Sequence, residues 1–403
     1  MNEVYQPLPS GGTLTIRVLE PPLGDDAERI HYSWRDVRDA VVSGRLADTS
    51  LDRFFVAEVD GAFAGSMMYA TPRDTRDVAV LEFVWTEPQF RRRGIARALL
   101  AYLLDDFRKG GGASMYLCTT NPHAYALYAQ QGFRPLVGDG MRYLAPGHED
   151  FDRQYFAYAG PASVRPATWG DLARVSALYN QPEPDWLVKD YHAPRRVFRD
   201  MRYESHYIRV WKPASEGRGC VLVLENSARH VVGIASALET DDYYDQHVHL
   251  VDCWACPAYL HQLPELLAAC AARAEQGGAE VLQGCIAEGD AGKRQSLEEA
   301  GFAMEARLRN RFRTGAFGEV TADTGGRDER TDLLVYTRFL DRKPAPLHAL
   351  DTYYGARRAF HSRAPDPAPS RPASEAEQAL GVAGADLGFR PQGEGGVGER
   401  HHG

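Results

Sequence analysis

The 403-residue sequence has no apolar run long enough for a helix to cross a bilayer, which takes about 20 residues. It also lacks positive charge: 46 Lys plus Arg stand against 55 Asp plus Glu, a net of −9. Nucleic-acid binding needs a basic footprint spread along a groove, so neither a nucleic-acid nor a membrane partner is expected. Cysteine is sparse, at six residues: Cys118, Cys220, Cys253, Cys256, Cys270 and Cys285. Cys253 and Cys256 form a C-x-x-C pair near His247 and His249, but no second pair completes a zinc set, and no metal is expected. The opening "MNEVYQPLPSGG" has neither the basic nor the apolar region of a signal peptide, so a cytoplasmic location with reduced thiols is the expectation. Hydrophobic residues make up 44% of the chain, ordinary for a globular protein, and the length suits two domains with an appendage.

What is present is concentrated around "TEPQFRRRGIARALL", Thr86 to Leu100. The run Val78 to Pro88 is β-branched and aromatic and reads as a buried strand closed by proline. From Ile95, apolar and aromatic residues recur at helical spacing through Ala98, Leu99, Tyr102 and Leu103. The order is therefore strand, glycine-containing loop, helix. Arg91, Arg92 and Arg93 taken alone fit a solvated basic turn. Their place ahead of a helix N-terminus, where backbone N–H groups lack partners and the dipole is positive, instead suits one small anion such as a pyrophosphate. Gly94 allows close backbone approach and Ala96 leaves room beside it.

Arg91-x-x-Gly94-x-Ala96 after a strand and Pro88 resembles the acyl-coenzyme A loop of the GNAT acetyltransferase superfamily. A second element follows at the family's distance: strand, Asn121, a helix carrying Tyr128, then Gly132-Phe133 entering the next strand. The resemblance covers about Thr13 to Leu144, with Thr13–Glu20 as a first strand, Ala27–Leu46 helical, and a hairpin turning at Asp60-Gly61.

The sequence also repeats itself. "WTEPQF" at Trp85 recurs as "WACPAY" at Trp254, and "QQGF" ending at Phe133 recurs as "EAGF" ending at Phe302. The prolines Pro88 and Pro257 and the glycines Gly132 and Gly301 are each 169 residues apart (257 − 88 and 301 − 132). "RRRGIA" is replaced by "LHQLPE", Leu260 to Glu265, while Tyr128 meets Leu297 and Asn121 meets Asp290. The expected fold class is α/β, of α+β mixed-sheet type: two tandem GNAT-like domains, each a twisted, mostly antiparallel sheet with a splayed strand 4/5 pair flanked by helices. The expected divisions are a flexible N-terminus (1–12), a GNAT domain with the acyl-coenzyme A loop (13–150), a degenerate GNAT-like domain (151–345), a helix (346–363) and a disordered tail (364–403).

The resemblance implies an acyl-coenzyme A-dependent N-acyltransferase, with acetyl-CoA as co-substrate bound at the first copy only. It assigns the coenzyme to Val84, Trp85 and Thr86 of the splayed strand, to Arg91, Arg92, Arg93, Gly94, Ile95 and Ala96 of the loop, and to Asn121 and Tyr128. Tyr128 would protonate the departing thiolate; read without the family it is a core aromatic on an amphipathic helix. Asn121 is equally readable as a helix N-cap. Glu82, on the coenzyme strand, is the first choice of general base or else a buried structural carboxylate, with Glu58 and Glu87 weaker choices and a water chain without a dedicated base equally consistent with the family. The expected acceptor is the primary amine of a small molecule, drawn by Asp241, Asp242 and Asp245 and packed by Tyr243 and Tyr244 in the second copy. A non-catalytic acetyl-CoA sensor and an aminoacyl-tRNA-dependent transferase are the competing readings. The sequence carries no signal of oligomeric state.

Overall fold

The computed structural model describes residues 3–8, 11–136, 140–181, 203–240, 245–313 and 330–340. Strands β1 (Glu3–Pro7), β2 (Thr13–Leu19), β3 (Ser50–Val59), β4 (Ala62–Pro72), β5 (Val78–Thr86), β6 (Ser114–Cys118), β7 (Arg134–Pro135) and β8 (Gly140–Leu144) form one sheet, in the order β1-β2-β3-β4-β5-β6-β8-β7. Helices α1 (Arg35–Val42), α2 (Ile95–Lys109) and α3 (Pro122–Gln130) interrupt it. A short helix α4 (Phe151–Tyr155) leads to the second half. There, β9 (Ser163–Pro166), β10 (Gly219–Glu225), β11 (Val231–Glu239), β12 (Val248–Ala255), β13 (Val281–Ala287), β14 (Ala303–Arg313) and β15 (Arg330–Phe339) form a sheet ordered β14-β15-β13-β12-β11-β10-β9. Its helices are α5 (Asp171–Tyr179), α6 (Tyr203–Ser215), α7 (Leu263–Gly277) and α8 (Ala291–Glu299).

Read from the β9 end, the second sheet has the order of the first without β1, and α8 falls at the position of α3 shifted by the same 169 residues (291 − 122). The fold class expected from the repeat is therefore what the chain adopts, with each sheet mixed because one neighbouring pair is parallel, β5 with β6 and β12 with β13. The Asp60-Gly61 turn behaves as its sequence dictates: Asp60 has φ 50° and Gly61 φ 83°, the left-handed pair a two-residue hairpin needs. The N-terminus departs from expectation, because Glu3–Pro7 pairs antiparallel with β2 rather than standing free. A strand edge offers unpaired backbone groups, and five residues suffice to cover them. The helix and tail expected over 346–403 lie outside the described residues.

One face of the first sheet buries Leu99, Leu100 and Leu103 of α2 with Phe55, Met67 and Leu81. The other face has no core of its own. Phe54, Met68 and Val80 join one continuous cluster with Leu172, Val175 and Leu178 of α5 and Ile234 and Trp254 of the second sheet. Helix α5 lies against β4, β5 and β11 and all nine of its residues are buried. Even its charges are enclosed. Asp171 is held by Arg165 through two bonds of 2.7 and 2.8 Å. Burial alone would push the Asp171 carboxyl up, but the Arg165 and Arg174 guanidinium groups pull it below the usual range.

Candidate active site

Strand β5 sets the site. Its parallel ladder with β6 runs only from Val78 opposite Ser114 to Val80 opposite Tyr116, while β5 continues to Thr86 and β6 to Cys118. At the divergence the β4–β5 register shifts between Ser66 and Met68, and Phe83 takes φ 53°. An extra residue in one strand bends it and turns its backbone away from the ladder. Beyond the bulge β5 splays from β6 and opens a wedge whose walls carry Glu82, Val84, Trp85 and Thr86.

The turn at the mouth of the wedge comes from Pro88–Phe90, which starts a 3-10 turn. Arg92 (φ 61°) and Gly94 (φ 84°) then reverse the chain so that α2 begins at Ile95. The first helical bond recorded runs from the Ala98 N–H to the Gly94 carbonyl, leaving the N–H groups of Ile95, Ala96 and Arg97 with no acceptor in the helix. A Cβ at Gly94 would meet nothing within 4 Å, so glycine is required there by its backbone angle and faces open space. The three arginines are not equivalent. Arg91 donates from Nε to the Thr86 carbonyl at 3.1 Å and lies over the Trp85 ring at 5.4 Å. Arg93 donates to the Gly11 carbonyl at 2.6 Å and covers Phe90 at 5.5 Å. Arg92 is exposed and has no recorded ion pair among the described residues, which leaves its charge for an anion at the helix start. The donor set of this turn fits a pyrophosphate.

Tyr128 is buried on α3 against Phe133, ring centroids 5.6 Å apart. Burial, and then the Glu82 carboxylate, raise the Tyr128 phenol well above its ordinary value. It is therefore protonated at neutral pH, the state a proton donor needs. Glu82 is half-buried at the end of the β5–β6 ladder, near enough to Tyr128 for its charge to bear on the phenol. Asn121 caps α3, its Oδ1 accepting from the N–H of His123 at 2.9 Å and of Ala124 at 3.3 Å. Glu58 is occupied by Arg17 at 3.1 Å and Arg29 at 2.8 Å, and Glu87 accepts from the Trp85 indole at 3.0 Å. Asp241, Asp242, Tyr243 and Tyr244 lie outside the described residues. Among the described residues no group of three or more His, Cys, Asp or Glu is gathered for a metal ion.

Three polar residues near the wedge escape sequence reasoning. His31 stacks on Trp85 at 4.9 Å, and burial lowers its pKa, so its imidazole is neutral and able to accept a proton. Tyr32 packs on Phe83 at 4.2 Å with its hydroxyl buried and without a hydrogen-bond partner. Asp52 on β3 is buried, which raises its carboxyl to about 6 despite a 3.4 Å bond from the Trp169 indole. None sits in a motif; only the fold brings "HYSW" over β5.

In the second half the corresponding wedge is filled. The β12–β13 ladder also stops early, at Val251 opposite Gly284. Lys293, 1% exposed, enters the gap and donates from Nζ to Asp252 Oδ1 at 2.8 Å, over the Trp254 ring at 6.0 Å. Burial would lower the Lys293 pKa, yet Asp252 and Asp290 hold it raised. At the loop position the 3-10 turn Pro257–Gln262 runs straight into α7. Gln262 there bonds both backbone groups of Ala162, at 2.9 and 3.1 Å, and the Tyr259 hydroxyl accepts from the Ala159 N–H at 2.9 Å. The turn grips the connection between the halves.

Residues 19–133 match the model of the acetyltransferase (GNAT) family. More particular likenesses are to two curated proteins named ribosomal protein bS18-alanine N-acetyltransferase. The one from Salmonella typhimurium is 34% identical over 85 residues, covering 20% of this chain and 57% of the relative. The one from Escherichia coli K12 is 36% identical over 67 residues, covering 16% of this chain and 45% of the relative. The chain thus spans about half the length of these relatives. A solved phosphinothricin acetyltransferase from Sinorhizobium meliloti, in complex with acetyl-CoA, is 14% identical with a TM-score of 0.37, covering 47% of this chain and 95% of its own.

Proposed function

We propose that the protein is an acetyl-CoA-dependent N-acetyltransferase whose first half binds the coenzyme and whose acceptor is a primary amine. The observation that carries this reading is the conjunction of the splayed β5–β6 wedge with the Arg92–Gly94 turn, because one extended ligand with an anionic pyrophosphate and a narrow arm fits both. Acetyl-CoA supplies an activated thioester. The backbone of Val84 to Thr86 lines the wedge where such an arm runs, and the N–H groups of Ile95 and Ala96 with the Arg92 guanidinium meet the phosphates. Glu82 or His31 takes the proton from the attacking amine, and the protonated Tyr128 phenol gives one to the sulfur that leaves. Only one coenzyme binds per chain, since Lys293 and Asp252 occupy the second wedge.

The acceptor is a small molecule or the flexible N-terminus of a protein. The named relatives favour the second acceptor, so an alanine-initiated peptide belongs beside the small amines in the test. Thiol release from acetyl-CoA is followed with each. Acetylation of the peptide at its α-amine, with the amine panel inert, identifies a protein acceptor; the reverse identifies a small molecule. No thiol release with any amine, together with tight acetyl-CoA binding, favours the sensor reading over the enzyme.

A further inference from the structure

A cleft of 410 Å³ is lined by Trp169 and Trp211 and by the exposed Arg45 and Arg273. Cys220, at the start of β10, is part of its lining. Directly behind Cys220 lies Cys270 of α7, with the two Sγ atoms 3.6 Å apart. Both are free thiols, Cys220 7% and Cys270 1% exposed. A disulfide needs the sulfurs to close to about 2.05 Å, and sulfurs in van der Waals contact on two elements packed against each other reach that with side-chain rotation and a small shift of one element.

We propose that Cys220 and Cys270 are a redox-active dithiol, a modification site that takes a small hydroperoxide admitted through the cleft. The arrangement divides the two roles. The hydrogen bond with Cys270 lowers the Cys220 thiol, while the same bond and then burial raise the Cys270 thiol. Cys220 is also the one facing the cleft, so it is the attacking sulfur. Its thiolate attacks the distal oxygen of the hydroperoxide, the O–O bond breaks, an alcohol leaves, and Cys220 becomes a sulfenic acid. The Cys270 thiol then attacks the Cys220 sulfur, an S–S bond forms, the S–O bond breaks, and water leaves with the Cys270 proton. Two thiols and one hydroperoxide give one disulfide, one alcohol and one water. The product clips β10 to α7 on one wall of the cleft.

The test uses the whole protein with Cys118→Ser and Cys285→Ser, which removes the two more exposed thiols. It is treated with tert-butyl hydroperoxide, and intact mass, peptide mapping and thermal unfolding are read. The expected result is loss of two hydrogens per chain, a peptide linked through Cys220 and Cys270, and full reversal by dithiothreitol. In Cys270→Ser a sulfenic-acid probe should label Cys220. In Cys220→Ser thiol oxidation should slow about tenfold or more, since the lowered-pKa, cleft-facing thiol is gone. Absence of the Cys220–Cys270 peptide in the otherwise intact protein overturns the proposal. So does labelling of Cys253 or Cys256 in preference to Cys220, or oxidation only after denaturant is added; these outcomes hold whether or not the single variants fold.

Discussion

The two halves of the chain share one strand order and one pair of splayed parallel strands, yet they treat the splay in opposite ways. In the first half the gap is the proposed coenzyme site, and the turn at its mouth leaves the first N–H groups of α2 without helical acceptors beside the exposed Arg92. In the second half the gap is closed with a lysine and an aspartate, and the turn is bonded to backbone of the same chain. The wedge is a property of the fold, and whether it binds anything is decided by the few residues that fill or vacate it. A buried ion pair is an expensive filler, because two charges leave water for one contact.

The largest expected effect concerns that filler. Lys293→Ala leaves Asp252 charged and buried, which should destabilise the protein by about 3–5 kcal/mol, measured by urea unfolding. The paired change Lys293→Met with Asp252→Asn should recover most of the loss, and a paired variant no better than the single one would deny that the charges plug the wedge. Next comes the first wedge. Tyr128→Phe should lower kcat on the order of a hundredfold, as expected for loss of a general acid, with acetyl-CoA affinity nearly unchanged by calorimetry. An unchanged kcat would remove the hydroxyl from the chemistry and make the two copies differ in binding alone.

Third is the seam between the halves, where Asp52 of β3 meets Trp169. Burial raises the folded-state pKa of Asp52 from 3.8 to about 6. The stability this group supports is therefore complete below about pH 4 and is lost as pH rises through about 6. Asp52→Asn keeps an acceptor for the indole, and it should flatten the stability profile across that window by about 2 kcal/mol. Identical pH profiles for the variant and the native protein would show that Asp52 does not titrate there. The smallest effect is at the loop: Arg92→Glu should weaken acetyl-CoA binding about tenfold, less at high salt, with stability unaltered because Arg92 is exposed at the turn.

Much of this contrast was legible in the sequence. The 169-residue offset held through α3 and α8, and Gly94 against Leu263 already told the open turn from the closed one. Local signals of this kind, turns, periods and a proline, act over a few residues and survive without knowledge of the fold. The filler was not legible, because Lys293 on an exposed-looking helix becomes a core residue only when β12 and β13 diverge beneath it. His31, Tyr32 and Asp52 were missed for the same reason, each reaching its neighbours across strands far away in sequence. Which residues form the shared core was not legible: nothing in the apolar pattern of Asp171 to Tyr179 says that it will be covered from two sheets.

That helix bears on how the molecule opens. A segment enclosed on every side, with its one carboxylate and its one guanidinium paired inside, exposes an amide to exchange only when a sheet lifts off it. The backbone hydrogens of α5 should accordingly exchange with deuterium last of all and at the rate of global unfolding. Heating should give one calorimetric peak rather than two, and a chain cut after Asp150 should leave Phe54, Met68 and Val80 without their cover and gather by that face into aggregates.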